Sequence, residues 1–426
     1  MPLGLYISVP FCRAKCSFCN FASGVFSRQL LDKYVAYLQR ELGRAEQIAA
    51  QVGGSFERRV DSVYLGGGTP TMLAPEQLTA IFTAIRSSFE VLPGAEITVE
   101  CAPGTLTPEL LPALADCGVN RVSLGVQSFV DQEARAVGRL HTRRIVLDEI
   151  AALRRAGITE ISIDLIAGLP HQTEQSWRRS LEETIASEVP HASVYMLEVD
   201  ADSRLGRELI AGGTRYHAHF VPDDDLTADL YVLACEELNA AGISQYEISN
   251  FARGRAVATE SRDAANLKDM VSVADSPGGL PAHASRHNLK YWLRQPYMGF
   301  GVDAHSMLPA REAASANQAV RFATTDELDK LLSGAELEIT TVDEGAAREE
   351  MWFLGLRLNR GVEWRCLERT CDAESIRCYR AIVAELEAAG LAAVEDGCVR
   401  LSPRGRLLSN EVFSRFLRAG TPSNGR

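Results

Sequence analysis

Strands and helices alternate through the first half of this chain, and that alternation limits the fold more than any other feature. Six short β-rich runs recur, at Leu3–Val9, Asp61–Leu65, Glu96–Glu100, Asn120–Val126, Glu160–Ile166 and Ala192–Glu198. Between them, apolar residues return every three or four positions. The clearest case is Leu30, Leu31, Tyr34, Val35, Leu38 and Leu42, with Ser27 as N-cap. Pro75–Ser88, Pro108–Asp116, Arg143–Ala156 and Gln175–Ser187 read the same way. Such alternation implies parallel β/α units joined by right-handed crossovers. The expected fold is α/β: a partial (β/α)6 barrel rather than a doubly wound sheet, followed by a smaller α+β region.

In β/α barrels the functional groups collect at the C-terminal ends of the strands. Cys12, Cys16 and Cys19 follow the first run as C-x3-C-x2-C, and Gly66-Gly67-Gly68-Thr69 follows the second. The third run ends in Glu100, the fourth is followed by Gln127, and the fifth carries Asp164 ahead of Gly168-Leu169-Pro170. Three thiolates at this spacing can hold three irons of a [4Fe–4S] cube, and without a fourth cysteine nearby one iron stays open to a ligand. A closed zinc site would need a further ligand, and the nearest histidine is His141. Buried structural thiols are the other reading, although Arg13, Lys15, Ser17 and Asn20 make this loop polar. The glycine run lacks the Lys-Ser/Thr ending of a P-loop. Its bare backbone would let a ligand approach N–H and C=O groups closely, with Glu100 accepting from a ribose hydroxyl.

The 426 residues suggest two or three domains with an ample core. A net charge of −12 argues against a general nucleic-acid binder. The start of the chain lacks the basic and long apolar stretches of a secretory signal, and no apolar run reaches membrane-helix length. Ten cysteines then read as thiols in a reducing compartment, so a cytoplasmic location is expected.

Several segments together resemble the radical S-adenosylmethionine superfamily, and more narrowly its HemN/HemW group. They are Tyr6-Ile-Ser-Val-Pro-Phe-Cys12, the cysteine triplet, Gly66-Gly-Gly-Thr-Pro, Ser123-Leu-Gly-Val-Gln-Ser-Phe129 and Ile163-Asp-Leu-Ile-Ala-Gly-Leu-Pro170. Gln245-Tyr-Glu-Ile-Ser-Asn-Phe251, Arg286-His-Asn-Leu-Lys-Tyr-Trp292 and Tyr297-Met-Gly-Phe-Gly301 agree. The resemblance implies a [4Fe–4S] cluster on Cys12, Cys16 and Cys19 whose open iron chelates S-adenosylmethionine, cleaved by one electron to methionine and a 5′-deoxyadenosyl radical. By matching motifs, Tyr6 and Phe18 would flank that cofactor, Gly67, Gly68 and Thr69 would border its methionine end, and Glu100 would sit by the ribose. Gln127, Arg139 and Asp164 match positions that contact a second S-adenosylmethionine in the oxygen-independent coproporphyrinogen dehydrogenase.

Within the group, the dehydrogenase extends its signature to C-x3-C-x2-C-x-C, whereas this chain has Phe21 at the last position. The HemW-like members, described as haem chaperones, carry C-x-F and His-Asn-x-x-Tyr-Trp, matched here by Cys19-Asn-Phe21 and His287-Asn288-Leu-Lys-Tyr291-Trp292. The resemblance therefore implies haem as a further ligand, passed to respiratory acceptor proteins, with an electron donor for the cluster and a possible homodimer. The alternatives are the dehydrogenase itself, decarboxylating coproporphyrinogen III to protoporphyrinogen IX, or a radical enzyme with another substrate. His287 is the foremost candidate haem ligand and a structural, hydrogen-bonded histidine is its rival reading; His305 and His283 are the other candidates. Ala252–Arg286 separates two motifs that lie closer together in the group, so roughly two dozen polar residues look inserted there, as in a mobile loop.

Near the C-terminus, Glu349–Leu358 and Ser375–Ala389 read as helices, Leu391–Glu395 and Cys398–Leu401 as a hairpin about Asp396-Gly397, and Pro403–Leu417 as a closing helix. The expected division is a barrel over 1–220, its continuation over 221–340, a winged-helix-like module over 341–418 and a disordered tail over 419–426. Cys366, Cys371 and Cys378 are read as packed thiols rather than as a second metal site.

Overall fold

The computed structural model describes residues 1–254, 279–311 and 317–417. The tail at 419–426 and most of the Ala252–Arg286 stretch lie outside the described residues. The six expected strands form as β1 (Leu3–Val9), β2 (Arg59–Gly67), β3 (Glu90–Cys101), β4 (Arg121–Gln127), β5 (Glu160–Ala167) and β6 (His191–Met196). They pair in that order, all parallel. Helices Arg28–Gly43, Pro75–Ser88, Leu110–Asp116, Arg143–Arg155 and Glu174–Ala186 lie in the crossovers. Ser27 caps the first of them, its side chain accepting from the Leu30 N–H.

The sheet does not close. Beyond β6 the short strands β7 (Ser244–Gln245) and β8 (Asn250–Ala252) continue it antiparallel. Beyond β1 it continues through β9 (Tyr297–Phe300), β10 (His305–Pro309), β11 (Asn317–Ala323) and β12 (Glu338–Asp343), giving twelve strands in one sheet. β9 runs parallel to β1, and the next three strands are antiparallel.

The six parallel strands have two chemically different faces. Leu5, Ile7, Val63, Leu65, Val99, Leu124, Ile163 and Val194 belong to one apolar core with the helices. The alternate residues are polar: Tyr6 and Ser8, Ser62 and Tyr64, Thr98 and Glu100, Ser123, Ser162 and Asp164, Ser193 and Tyr195. Because side chains alternate along a strand, the parallel register lines these residues up across the sheet. Tyr6 stands beside Tyr64, Glu100 beside Ser123, and Asp164 beside Ser193. Parallel sheets buried on both faces are usually apolar throughout. Here the inner face carries a hydrogen-bonded polar lining.

The C-terminal region has its own core around Trp352, Trp364, Tyr379 and Phe416, with Trp352 stacked on Phe416 at 4.4 Å. Its sheet orders β13 (Val362–Glu363), β15 (Cys398–Leu401) and β14 (Ala392–Glu395). Asp396 and Gly397 both have positive φ, as the two-residue hairpin requires. The expected closing helix is broken into Pro403–Leu407 and Ser409–Phe416, with Leu408 out of helical geometry at the junction. The helix expected from Glu349 starts earlier, at Glu344, because the Asp343 carboxylate accepts from the Ala346 N–H and caps it.

Candidate cofactor-binding site

The cysteine loop continues β1 and is tied down on three sides. Cys12 N–H donates to Gly24 O (2.8 Å) and Gly24 N–H to Pro10 O (2.9 Å), folding the loop back on its own strand. Ser17 N–H donates to Val137 O (3.0 Å) beyond β4, and Ser17 O accepts from Leu205 N–H (2.8 Å) beyond β6. Phe18 adds packing against Val137, Ile166 and Leu169. The loop's three thiols line one cavity of about 490 Å³ at the C-terminal mouth of the strands, together with Phe18, Gly67, Gly68, Thr69, Glu100, Gln127, Arg139 and Asp164. Residues expected from five separate strand ends therefore meet there.

Among the described residues, no three His, Cys, Asp or Glu side chains converge as the ligands of a single ion would. The thiols ring the cavity instead, which suits a polynuclear cluster better than zinc. Burial pushes the thiols of Cys12 and Cys16 up, while Thr69 donating to Cys12 Sγ at 3.6 Å and the Arg139 charge near Cys16 pull them down. Metal loading at such thiols releases protons.

The glycines do something other than the sequence suggests. A Cβ on Gly68 would stand 2.5 Å from Val9 O and 2.8 Å from Pro10 C, so Gly68 is required by contact with the end of β1. Gly66 makes room for the Glu100 carboxyl, which a Cβ there would meet at 2.8 Å. Gly67, with φ +90°, donates its N–H to Glu100 Oε2 at 3.2 Å. The run thus seats a carboxylate against the cavity as well as leaving backbone near a ligand.

Glu100 also accepts from the Tyr64 hydroxyl at 2.8 Å. Burial raises its carboxyl to about 7, opposed by the Tyr64 hydrogen bond and increased by the nearby Asp164. Asp164 accepts from Ser123 at 2.9 and 3.0 Å and from Ser162 at 3.3 Å, and burial raises it too. The two carboxyls share one cation, Arg139, whose Nε is buried with no hydrogen-bond partner among the described residues. Arg139 itself lines the cavity, and a guanidinium there fits an anionic ligand such as a carboxylate. Gly125 admits that guanidinium over β4, and Gln127 beside it holds φ +67°, a strained conformation for a residue other than glycine.

Sequence reasoning missed Ser123, Tyr64, Tyr195 and His141. His141 lines the same cavity and is held neutral, its pKa pushed down to about 4 by burial and by Arg139. The alternation of polar residues along β2 to β6 was the signal that could have found the first three. Tyr6 stands apart from the main cavity, lining a smaller one of about 360 Å³ with Ser8, Gly67, Tyr291, Asp303 and His305.

His287 lies elsewhere. It sits on helix Arg286–Trp292, 1% exposed. Its Nδ1 pairs with Ser62 Oγ at 3.0 Å and its Nε2 with the Tyr291 hydroxyl at 2.9 Å. Its backbone N–H donates to Glu96 at 2.9 Å, and its ring stacks on Tyr64 at 5.3 Å. With both nitrogens engaged, the ring presents no lone pair to a haem iron in this conformation. Tyr291 packs edge-on to Tyr297 at 4.5 Å, and one face of Trp292 lies under the Arg357 guanidinium at 4.3 Å. The motif instead braces the layer beneath Glu100. His283 pairs with Glu160 at 2.8 Å, and His305 is exposed beside Asp303. Of the three C-terminal cysteines read as packed thiols, Cys366 is buried, Cys371 half-buried and Cys378 exposed.

Comparison with known proteins agrees with this geometry. Residues 6–184 match the model of the radical SAM superfamily, and residues 342–408 match the HemN C-terminal domain. The heme chaperone HemW of Lactococcus lactis is 30% identical over 421 residues, covering 98% of this chain and 97% of the relative. That of Escherichia coli is 29% identical over 424 residues, covering 98% of each. The solved structure of coproporphyrinogen III oxidase (HemN) from Escherichia coli superposes with a TM-score of 0.75 at 22% identity, over 97% of this chain and 90% of that one. No helix among the described residues is long and apolar enough to cross a membrane. With a full-length relative at this identity and the thiol triplet, glycine run and carboxylates meeting at one barrel mouth, the chain belongs to the HemW family of the radical SAM superfamily.

Proposed function

We propose that this protein binds a [4Fe–4S] cluster, S-adenosylmethionine and haem, and hands the haem to acceptor proteins in the cytoplasm. The observation that carries the reading is the single cavity shared by Cys12, Cys16, Cys19, Gly67, Gly68 and Glu100. Cys12, Cys16 and Cys19 would hold the cluster, with Thr69 steadying the Cys12 sulfur. Bound there, the cluster and S-adenosylmethionine supply one-electron cleavage of a sulfonium. The chain's own residues bind and orient. Glu100, fixed by Tyr64 and the Gly67 N–H, accepts from a ribose hydroxyl. Arg139 offers its guanidinium charge to a carboxylate, and Asp164 with Ser123 lines the wall beyond. Phe18 and the cysteine loop exclude water from one side, and Tyr6 supports Gly67 from below. An electron donor and a homodimer belong to the same reading.

The haem function draws support from the names of full-length relatives and from Phe21 standing where the dehydrogenase signature has a cysteine. Anaerobic incubation of reconstituted protein with coproporphyrinogen III, S-adenosylmethionine and reductant tests it. The expected result is stoichiometric haem binding in a parallel titration and no protoporphyrinogen IX. Turnover of coproporphyrinogen would establish the dehydrogenase reading instead.

A further inference from the structure

Large apolar side chains stand exposed around the barrel mouth, on the loops that follow the strands. Phe21 comes after β1, Leu140 after β4, and Val199, Ile210, Tyr216 and Phe220 after β6. The last segment is joined to the cluster loop through Leu205 N–H to Ser17 O, and Arg204 donates to Lys15 O. An apolar rim beside a polar cavity marks a surface that receives something.

A histidine cluster lies in this rim. His171, just after Gly168-Leu169-Pro170 at the end of β5, faces His217, with Nε2 and Nδ1 3.0 Å apart. Phe220 lies against both His171 and His219, each ring centroid 4.1 Å from its own. His171 N–H donates to Phe220 O at 2.9 Å, tying the β5 loop to this segment. The backbone is left-handed at three of these residues, His171 (φ 68°), Tyr216 (φ 55°) and His217 (φ 60°). None is glycine, and such strain is retained at ligand-binding positions more often than elsewhere. Burial and the neighbouring imidazoles push His171 down.

One proton is shared between the two facing nitrogens. In the tautomer where His217 Nδ1–H donates to His171, the His217 Nε2 lone pair is left over, and it has no partner among the described residues. A histidine ligand of iron is oriented in this way, by a hydrogen bond from its other nitrogen. Arg207 and Arg215, on the same segment of chain, are exposed and in no ion pair among the described residues. They suit the two carboxylates that edge a haem, whose apolar faces suit Tyr216, Phe220 and Ile210.

We propose that His217 Nε2 is an axial ligand of haem iron on this rim, with His171 as its positioning residue. The proposal rests on the haem-binding reading above. The full-length protein, reconstituted with its cluster, is titrated anaerobically with ferric haem, and the low-spin histidine signature is followed by electron paramagnetic resonance. His217→Ala is expected to weaken haem binding by more than about 100-fold and to lose that signature until free imidazole is added, while His171→Ala weakens binding by about 10- to 100-fold. Cluster iron and sulfide stay at wild-type level in both, separating a lost ligand from a lost fold. Wild-type affinity and spectrum in His217→Ala would overturn the proposal while leaving the haem-binding reading intact. A wild-type protein that takes up no haem would overturn both.

Discussion

Cys16→Ala is expected to strip the protein of its iron. Anaerobically reconstituted wild type should carry about four irons and four sulfides per chain, and the variant close to none. The loss should be nearly complete because Cys16 is one of the three thiols on the cluster loop, whereas Cys101, which also lines the cavity, is buried at the end of β3 with its thiol engaged by Ala102 O and Thr105. The fold should survive. The loop is held through Cys12 N–H, Gly24 N–H, Ser17 N–H and Ser17 O, none of which the substitution touches. Circular dichroism should therefore be unchanged while S-adenosylmethionine binding falls below detection. Iron retained at the wild-type ratio would remove Cys16 from the ligand set.

Glu100→Gln should act on both binding and pH dependence. Losing a hydrogen bond to a charged acceptor costs about 1.5–3 kcal/mol, so S-adenosylmethionine should bind roughly 10- to 100-fold more weakly above pH 8, where the wild-type carboxyl is ionised. Stability moves the other way. Burial raises the Glu100 carboxyl from 4.5 to about 7, so the folded state holds this proton more tightly than the unfolded state does. The stability contributed by that proton is fully present below pH 4.5 and is lost as pH rises through 7. A glutamine never ionises. In cofactor-free protein, the melting temperature of Glu100→Gln minus that of wild type should grow steadily from pH 5 to pH 8. Glu41 and Glu149, also raised by burial, titrate in both proteins and cancel in the difference. A gap that does not change with pH would mean that Glu100 is not buried as described.

The parallel barrel was legible because its six short β-rich runs are separated by five helices of clear 3.6-residue period. Cys12, Cys16, Cys19, Glu100, Gln127 and Asp164 were legible for a related reason, since strand ends in such barrels carry function. The extension through β9, β10, β11 and β12 was not. β9 has four residues and β12 is largely exposed at the sheet edge, so neither has the alternation that marks a half-buried strand. The glycine run shows a different limit. Its composition announces close backbone approach but not what approaches, and the approaching groups are the end of β1 and Glu100 as much as any ligand.

His287 illustrates how much of a motif residue's surroundings comes from outside its motif. Its sequence neighbours, Asn288, Tyr291 and Trp292, invite a picture of an imidazole beside open aromatic faces. The groups that decide its role come from distant parts of the chain, Ser62 and Tyr64 on β2 and Glu96 on β3, and they close around the ring. The polar face of the sheet is what makes this possible. Ser62 pairs with His287, Tyr64 lies on it, and Tyr64 in turn holds Glu100. The motif is thereby linked to the candidate cofactor site by packing, one layer below it.

The account depends most on a cluster whose open iron lies in the same cavity as the S-adenosylmethionine groove. Electron paramagnetic resonance of the dithionite-reduced, reconstituted protein, with and without S-adenosylmethionine, tests this directly. A reduced [4Fe–4S] signal whose g-values shift on addition of S-adenosylmethionine, and do not shift with methionine-free adenosine, is the predicted result. A protein that shows no cluster signal, or a signal indifferent to S-adenosylmethionine, would contradict it.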